Sequence, residues 1–146
     1  MREILFRGKR VDNGEWVEGY LWCTHSNTRI SAHISTLDGD IVDIYSDTIG
    51  QYTGLKDKNG VKIFEGDIVK FENDIEEMCI PTIGKCVFEQ QECNFCLQYL
   101  VHNNTNQIAY RNIPISTHTI YLVDNPEFEY EVIGNIYDNP ELLEEE

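Results

Sequence analysis

No apolar run in this sequence approaches the roughly 20 residues that a membrane-spanning helix needs, and its opening, MREILFRGKR, lacks the apolar core of a secretion signal. Both absences make an intracellular location the expected one and argue against a membrane partner. No long stretch keeps a 3.6-residue apolar period, which removes bundle and coiled-coil readings. Lys and Arg are missing after Arg111, so the C-terminal stretch carries only acids: Asp124, Glu127, Glu129, Glu131, Asp138, Glu141 and Glu144 to Glu146. Basic residues are scarce throughout, 11 Lys and Arg against 26 Asp and Glu. The resulting charge of -15 argues against direct nucleic-acid binding, which draws its affinity from Lys and Arg on phosphates.

What remains is the composition of an ordinary folded chain. With 41% hydrophobic and 25% charged residues, its 146 residues bury one moderate core or two small ones. Five cysteines, an odd number, suit a reducing compartment better than a disulfide framework. The acidity has two readings. One is solubility. The other is a surface that draws a basic partner by imitating a nucleic-acid backbone.

Turn chemistry dominates the local pattern. Asn13-Gly14, Asp38-Gly39 and Asn59-Gly60 read as tight hairpin tips. Between and beyond them lie β-like runs: Glu3–Phe6, Trp16–Cys23, Ile30–Ser35, Ile41–Tyr45, Lys62–Phe64, Asp67–Phe71, Gly84–Glu89, Phe95–His102, Thr119–Val123 and Tyr130–Ile136. In WVEGYLWC, Trp16, Glu18, Tyr20 and Trp22 alternate with Val17, Gly19, Leu21 and Cys23. Both faces are partly apolar, so this strand is expected at the centre of a sheet or at an interface. Phe95, Leu97, Tyr99 and Val101 form a candidate core stripe. In NPELLEEE, Asn139 is placed to cap a short helix with Pro140 at its first position. A helical turn is also considered in ENDIEEM. Residues 72–82 and 102–107 read as surface loops, and no internal repeat is evident.

The expected fold is therefore mainly β, with a soft boundary near Gln51. Residues 1–50 make a small β-rich N-terminal unit, too short to stand easily alone. Residues 51–146 make a barrel of about five strands with a short C-terminal helix and an acidic tail.

Chemistry-bearing groups are sparse. Cys93 and Cys96 form one C-x-x-C pair, whereas structural zinc commonly wants two close pairs. Cys79, Cys86 or His102 would have to complete such a site in space, and buried free thiols explain the same residues. His25, His33, His102 and His118 are scattered, with no helical H-x-x-x-H pair. A nucleophile and base that converge only in space leave no sequence signature. GLKDKNG is not a phosphate loop, and Asp57, Asn59, Glu65 and Asp67 lack the spacing of a calcium loop. Turn chemistry covers these residues, with Asp57 accepting nearby backbone amides. No catalytic residue and no cofactor is indicated. The aromatics Trp16, Tyr20, Trp22, Tyr45, Tyr52 and Phe64 suit a core or a subunit interface.

Four stretches, MREILFRGKRVDNGEWVEGYLW, IGQYTGLKDKNGVKIFEGDIVKF, IGKCVFE and YEVIGNIYDNPELL, together resemble the YopX family of small phage and prophage proteins. The matching motif positions are Tyr52, Gly54, Asp57, Asn59, Gly60, Gly66, Asp67, Gly134, Asn135, Asn139 and Pro140. The resemblance implies a β-rich protein whose C-terminal part is similar to an SH3-type barrel, and it implies phage origin and life in a bacterial cytoplasm. It carries no activity, cofactor or catalytic residue. Residues 24–43, 73–81 and 92–119 depart from the pattern, so Cys93 and Cys96 lie outside it. The expected function is a non-enzymatic accessory protein that binds another protein and self-associates. The alternatives are an acidic decoy against a host DNA-binding or defence protein, and a zinc protein or enzyme.

Overall fold

The computed structural model describes residues 3–75, 78–91, 93–102, 108–114 and 130–144, the description being of the backbone alone at 72–75, 78–80, 100–102 and 108–114. The described chain is almost entirely strand. The elements are β1 (Phe6–Lys9), β2 (Trp16–His25), β3 (Ile30–Thr36), β4 (Ile41–Ile44), β5 (Gly50–Lys56), β6 (Lys62–Phe64), β7 (Asp67–Ile75), β8 (Met78–Glu89), β9 (Asn94–His102), β10 (Ile108–Pro114) and β11 (Glu131–Asn135). Short 3-10 turns occupy Ser46–Thr48 and Pro140–Leu143.

Two antiparallel sheets result. One runs β4-β3-β2-β1-β5-β6 and the other β10-β9-β8-β7-β11. Contacts divide the chain into a unit of residues Met1–Gly54 and a unit of residues Leu55–Glu146, a division that falls inside β5. Each unit contains the same arrangement. Four consecutive strands form a meander, and a fifth strand returns to the free side of the first: β5 beside β1, and β11 beside β7. The hairpin tips depend on glycines in the left-handed region, as at Gly39 (φ 93°) and Gly60 (φ 80°).

In the first unit, β2 is long enough to pair twice, with β1 over Trp16–Gly19 and with β3 over Gly19–His25. Val17 and Leu21 point inward onto a small cluster of Ala32, Ile34 and Ile44. The sheet curls so far that the end of β1 meets the end of β4. An isolated bridge joins Arg10 and Ile44, Tyr45 N–H donates to the Lys9 carbonyl at 2.9 Å, and Val11 N–H donates to the Asp43 carbonyl at 3.0 Å.

The second unit is built from longer strands around Val69, Phe71, Cys86, Phe95, Leu97, Tyr99 and Tyr130, with Ile63 in the same cluster. Phe95, Leu97 and Tyr99 are all buried, so that stripe falls as the alternation predicts, while Val101 lies where only the backbone is described. Burying each of these side chains contributes roughly 1.5–3 kcal/mol.

Several sequence expectations need correction. Residues 72–75 and 78–82 are strand rather than surface loop, and no described residue of ENDIEEM is helical. Glu72–Ile75 ends β7 and Met78–Thr82 begins β8, paired from Phe71↔Thr82 to Ile75↔Met78. β1 starts at Phe6 rather than ending there. β5 and β10 are strands that the sequence pattern does not signal. The C-terminal helix is a single 3-10 turn with Pro140 at its start, and the Asn139 side chain does not cap it. Thr119–Val123 and residues 103–107 lie outside the described residues. Among the described residues, no helix is long and apolar enough to cross a membrane.

Candidate functional site

Apart from Tyr52 and Gly54, the motif residues lie in the second unit, and several of them hold it together. Asp57 is buried (7% exposed), and its carboxylate is fully engaged. Oδ1 accepts from the Asn59 and Val61 N–H groups at 2.9 Å each, closing the hairpin that Asn59-Gly60 turns. Oδ2 accepts from Val132 N–H at 2.9 Å, on β11. Burial pushes this carboxyl up, but the donors at Val132, Val61 and Asn59, with Lys58 nearby, outweigh it and hold the group below the ordinary Asp range. Lys58 N–H adds a bond to the Tyr130 carbonyl at 3.0 Å, and its ammonium lies 3.6 Å from Glu131. Tyr130 is itself buried, which raises its phenol above the ordinary value.

Asp67 is buried more deeply still (1% exposed), and its Oδ2 accepts from Phe64 N–H at 2.7 Å, bracing the turn through Glu65 and Gly66. Gly66 sits at φ 91°, a backbone state that favours glycine. Its N–H donates to the Cys86 carbonyl, and its own carbonyl accepts from Ile136 N–H, both at 2.9 Å. Gly134 is required by closeness: a Cβ there would lie 2.6 Å from Asn139 Oδ1. Asn135 Oδ1 accepts from Tyr137 and Asp138 N–H at 3.0 and 2.9 Å, and Asn139 Oδ1 faces Asn135 N–H at 3.4 Å. Asn139 thus braces the turn before Pro140 instead of capping the 3-10 turn that begins there. Tyr52 is buried in the first unit, where its N–H donates to the Leu5 carbonyl at 2.8 Å, and Gly54 turns at φ 89°. These contacts give Asp57, Asp67, Gly66, Gly134, Asn135 and Asn139 structural employment, while Gly54, Asn59, Gly60 and Pro140 are exposed.

Cys93 and Cys96 do not share an environment. Cys93 is exposed in the turn between β8 and β9, at φ 50°, with its Sγ 3.4 Å from the Gln90 carbonyl. Cys96 is buried in β9. Among the described residues, no three His, Cys, Asp or Glu side chains gather as metal ligands would. Cys79 and His102 lie where only the backbone is described.

The first unit assembles something that spacing alone did not reveal. Register sets Trp22 beside His33 and His33 beside Asp43, across three strands on the outer face. His33 Nδ1 lies 2.6 Å from Asp43 Oδ1, and Nε2 lies 3.0 Å from Thr24 Oγ1. Trp22 stacks on the imidazole with ring centroids 4.4 Å apart. A neutral imidazole donating to Asp43 accepts from Thr24, which is the order of nucleophile, base and orienting acid. Acyl chemistry also requires paired donors facing a developing oxyanion. The Trp22 and Thr24 backbone N–H groups are turned into the ladder with β3, so they do not supply them.

The same strand has a second property. Trp16 is covered by cations from β1, with Arg7 Cζ 4.7 Å and Lys9 Nζ 5.4 Å from its ring centroid. Among the described residues no cation covers Tyr20 or Trp22. They are 59% and 38% exposed, Trp22 with His33 stacked on it, and Ile41 beside them on β4 is 62% exposed. The outer face of β2 and its neighbours is thus the unit's uncovered aromatic surface, in keeping with the two-faced apolar alternation of WVEGYLWC.

Comparison with known proteins agrees with the fold and the motif. No curated protein matches the chain. A solved structure, protein EF1440 from Enterococcus faecalis, is similar over 99% of this chain and 100% of its own, with TM-score 0.50 and 22% identity, a likeness of fold. The family model described as YopX protein matches residues 5–144. With its signature residues placed in the knots described above and the match running almost end to end, the chain belongs to the YopX family.

Proposed function

We propose that this chain is an accessory protein of a phage or prophage, acting in the cytoplasm of the host bacterium as a non-enzymatic β module that binds another protein and self-associates. The observation that carries this reading is the uncovered aromatic face of Tyr20 and Trp22, on a unit whose own core is small. Aromatic side chains left in water on a sheet face mark contact surfaces. The motif residues Asp57, Asp67, Asn135 and Asn139 support the reading because their side-chain oxygens accept backbone N–H groups of the fold. In this reading residues 51–146 form an SH3-type barrel, consistent with the β10-β9-β8-β7-β11 order in which the fifth strand returns beside the first.

The test is capture of a tagged chain from lysogenic or infected cells, alongside a Trp22→Arg variant, with light scattering for mass in solution. A partner lost in the variant supports the module. A partner set unchanged by Trp22→Arg, together with a monomer at high concentration, sinks it. A second reading rests on charge. Residues 55–146 hold eighteen Asp and Glu against six Lys and Arg, whereas residues 1–54 hold eight against five. That concentration suits an acidic decoy for a basic host protein. It predicts partner capture that fails in high salt and survives Trp22→Arg.

A further inference from the structure

β2 has an open edge at the same place where its aromatics are uncovered. β1 flanks β2 only from Lys9↔Trp16 to Phe6↔Gly19, while β3 flanks the opposite side to His25. Strand parity identifies which groups the edge presents. Thr36 N–H donates to the Asp40 carbonyl toward β4, so Ser35 turns toward β2 and meets Tyr20. Alternation then points Tyr20, Trp22 and Thr24 into the β3 ladder, and Leu21, Cys23 and His25 the other way. The same parity aims Val17 and Gly19 at β1, where they pair with Gly8 and Phe6. Beyond Gly19 this edge has no neighbouring strand among the described residues. Tyr20 and the residues from Trp22 to His25 are exposed or half-buried.

We infer that the Tyr20–His25 edge of β2 accepts an extended, basic segment of a partner protein as an added strand. The inference rests on the reading of the chain as a protein-binding module and names its site. Strand addition supplies main-chain hydrogen bonds from Leu21, Cys23 and His25, and side-chain specificity comes from alternate positions of the incoming segment. The molecule contains its own template for that specificity. On the same face of the same strand, Arg7 and Lys9 of β1 cover Trp16, whereas among the described residues no cation covers Trp22. A segment lying beside Tyr20–His25, as β1 lies beside Trp16–Gly19, sets alternate Arg or Lys side chains over Tyr20 and Trp22. The net charge of -15 draws such a segment and disfavours a second copy of this equally acidic chain.

The experiment uses the whole chain titrated with a synthetic peptide alternating Arg and Val, followed by amide chemical shifts and Trp fluorescence. Perturbations centred on Leu21, Cys23 and His25 are expected, together with loss of binding as salt rises. Trp22→Ala weakens binding about tenfold, the equivalent of about 1.4 kcal/mol. Cys23→Pro removes an outward N–H without touching the β3 ladder, so the fold persists and binding is lost. Should that variant fail to fold, His25→Pro replaces it. A Glu and Val peptide that binds equally well overturns the inference, as do shifts located elsewhere. Dimerisation through this edge also overturns it, although the module reading then survives. So does a captured partner indifferent to Cys23→Pro but sensitive to Trp22→Arg, which places the contact on the face rather than the edge.

Discussion

In the first unit a meander of four strands curls over Ala32, Ile34 and Ile44, and its largest aromatics remain outside. In the second unit the same strand order encloses Phe71, Phe95, Leu97, Tyr99 and Tyr130, and two carboxylates, Asp57 and Asp67, are drawn inside to bind backbone. One topology has thus been stabilised in two ways. The second unit uses Phe71, Phe95, Tyr99, Tyr130 and its buried acids for closure, with Phe88 and Tyr137 left at its surface. The first keeps Tyr20 and Trp22 on its surface, where they are available for contact. On the proposed reading, binding belongs to the first unit and internal rigidity to the second.

The sharpest way to break that contrast is at Asp57. Asp57→Ala leaves the Asn59, Val61 and Val132 amides without their acceptor, and the expected loss is roughly 3–5 kcal/mol in urea unfolding. Asp57→Asn keeps one acceptor oxygen and loses less. The pH dependence has a definite sign. Because the folded carboxyl lies below its ordinary value, its contribution is complete above about pH 4 and disappears as pH falls through the folded pKa. Acid unfolding of residues 55–146 should therefore lose its Asp57 component in Asp57→Asn, measured as a shallower fall of stability with decreasing pH. An unchanged acid limb would remove Asp57 from its assigned role.

Gly134→Ala comes next. Its Cβ meets Asn139 Oδ1 at 2.6 Å, so about 1–3 kcal/mol is expected, partly recovered when Asn139→Ala is added. In the first unit Ile34→Val should cost about 1 kcal/mol, the ordinary penalty for one methylene in a small core. Trp22→Ala should cost under about 0.5 kcal/mol in unfolding while altering association, because an exposed position contributes little to the fold. A large loss of stability at Trp22 would mean that the aromatic face is structural, and the contrast between the units would fail.

Much of this is legible in the sequence because the signals are local. Asn13-Gly14, Asp38-Gly39 and Asn59-Gly60 mark hairpins, and period-two alternation identifies Phe95, Leu97 and Tyr99 as core. β5 escapes because Gly50 and Gly54 read as turn residues, yet the strand runs between and past them. The acids of ENDIEEM hide a hairpin, since pairing of Asn73 with Ile80 is a property of two segments rather than either one. Asp57 is expected to accept local amides and does. Its bond to Val132, 75 residues away, requires the tertiary fold. The Thr24, His33 and Asp43 line is invisible for the same reason, because only the register of three strands brings it together. The repeated strand order has no counterpart in repeated sequence.

The bond between Asp57 and Val132 also has a consequence for the order of events at the ribosome. A strand that must return beside the first of its unit cannot do so until it has been made. β7 therefore emerges with one edge bare and remains so while residues 76–130 are synthesised. Closing so long a loop is slow relative to forming hairpins. During that interval the nascent second unit is a half-finished sheet exposed to aggregation, whereas the first unit has all five of its strands once β5 is out. The buried carboxylate of Asp57 waits through the same interval in water, and its three bonds are completed only when Val132 arrives.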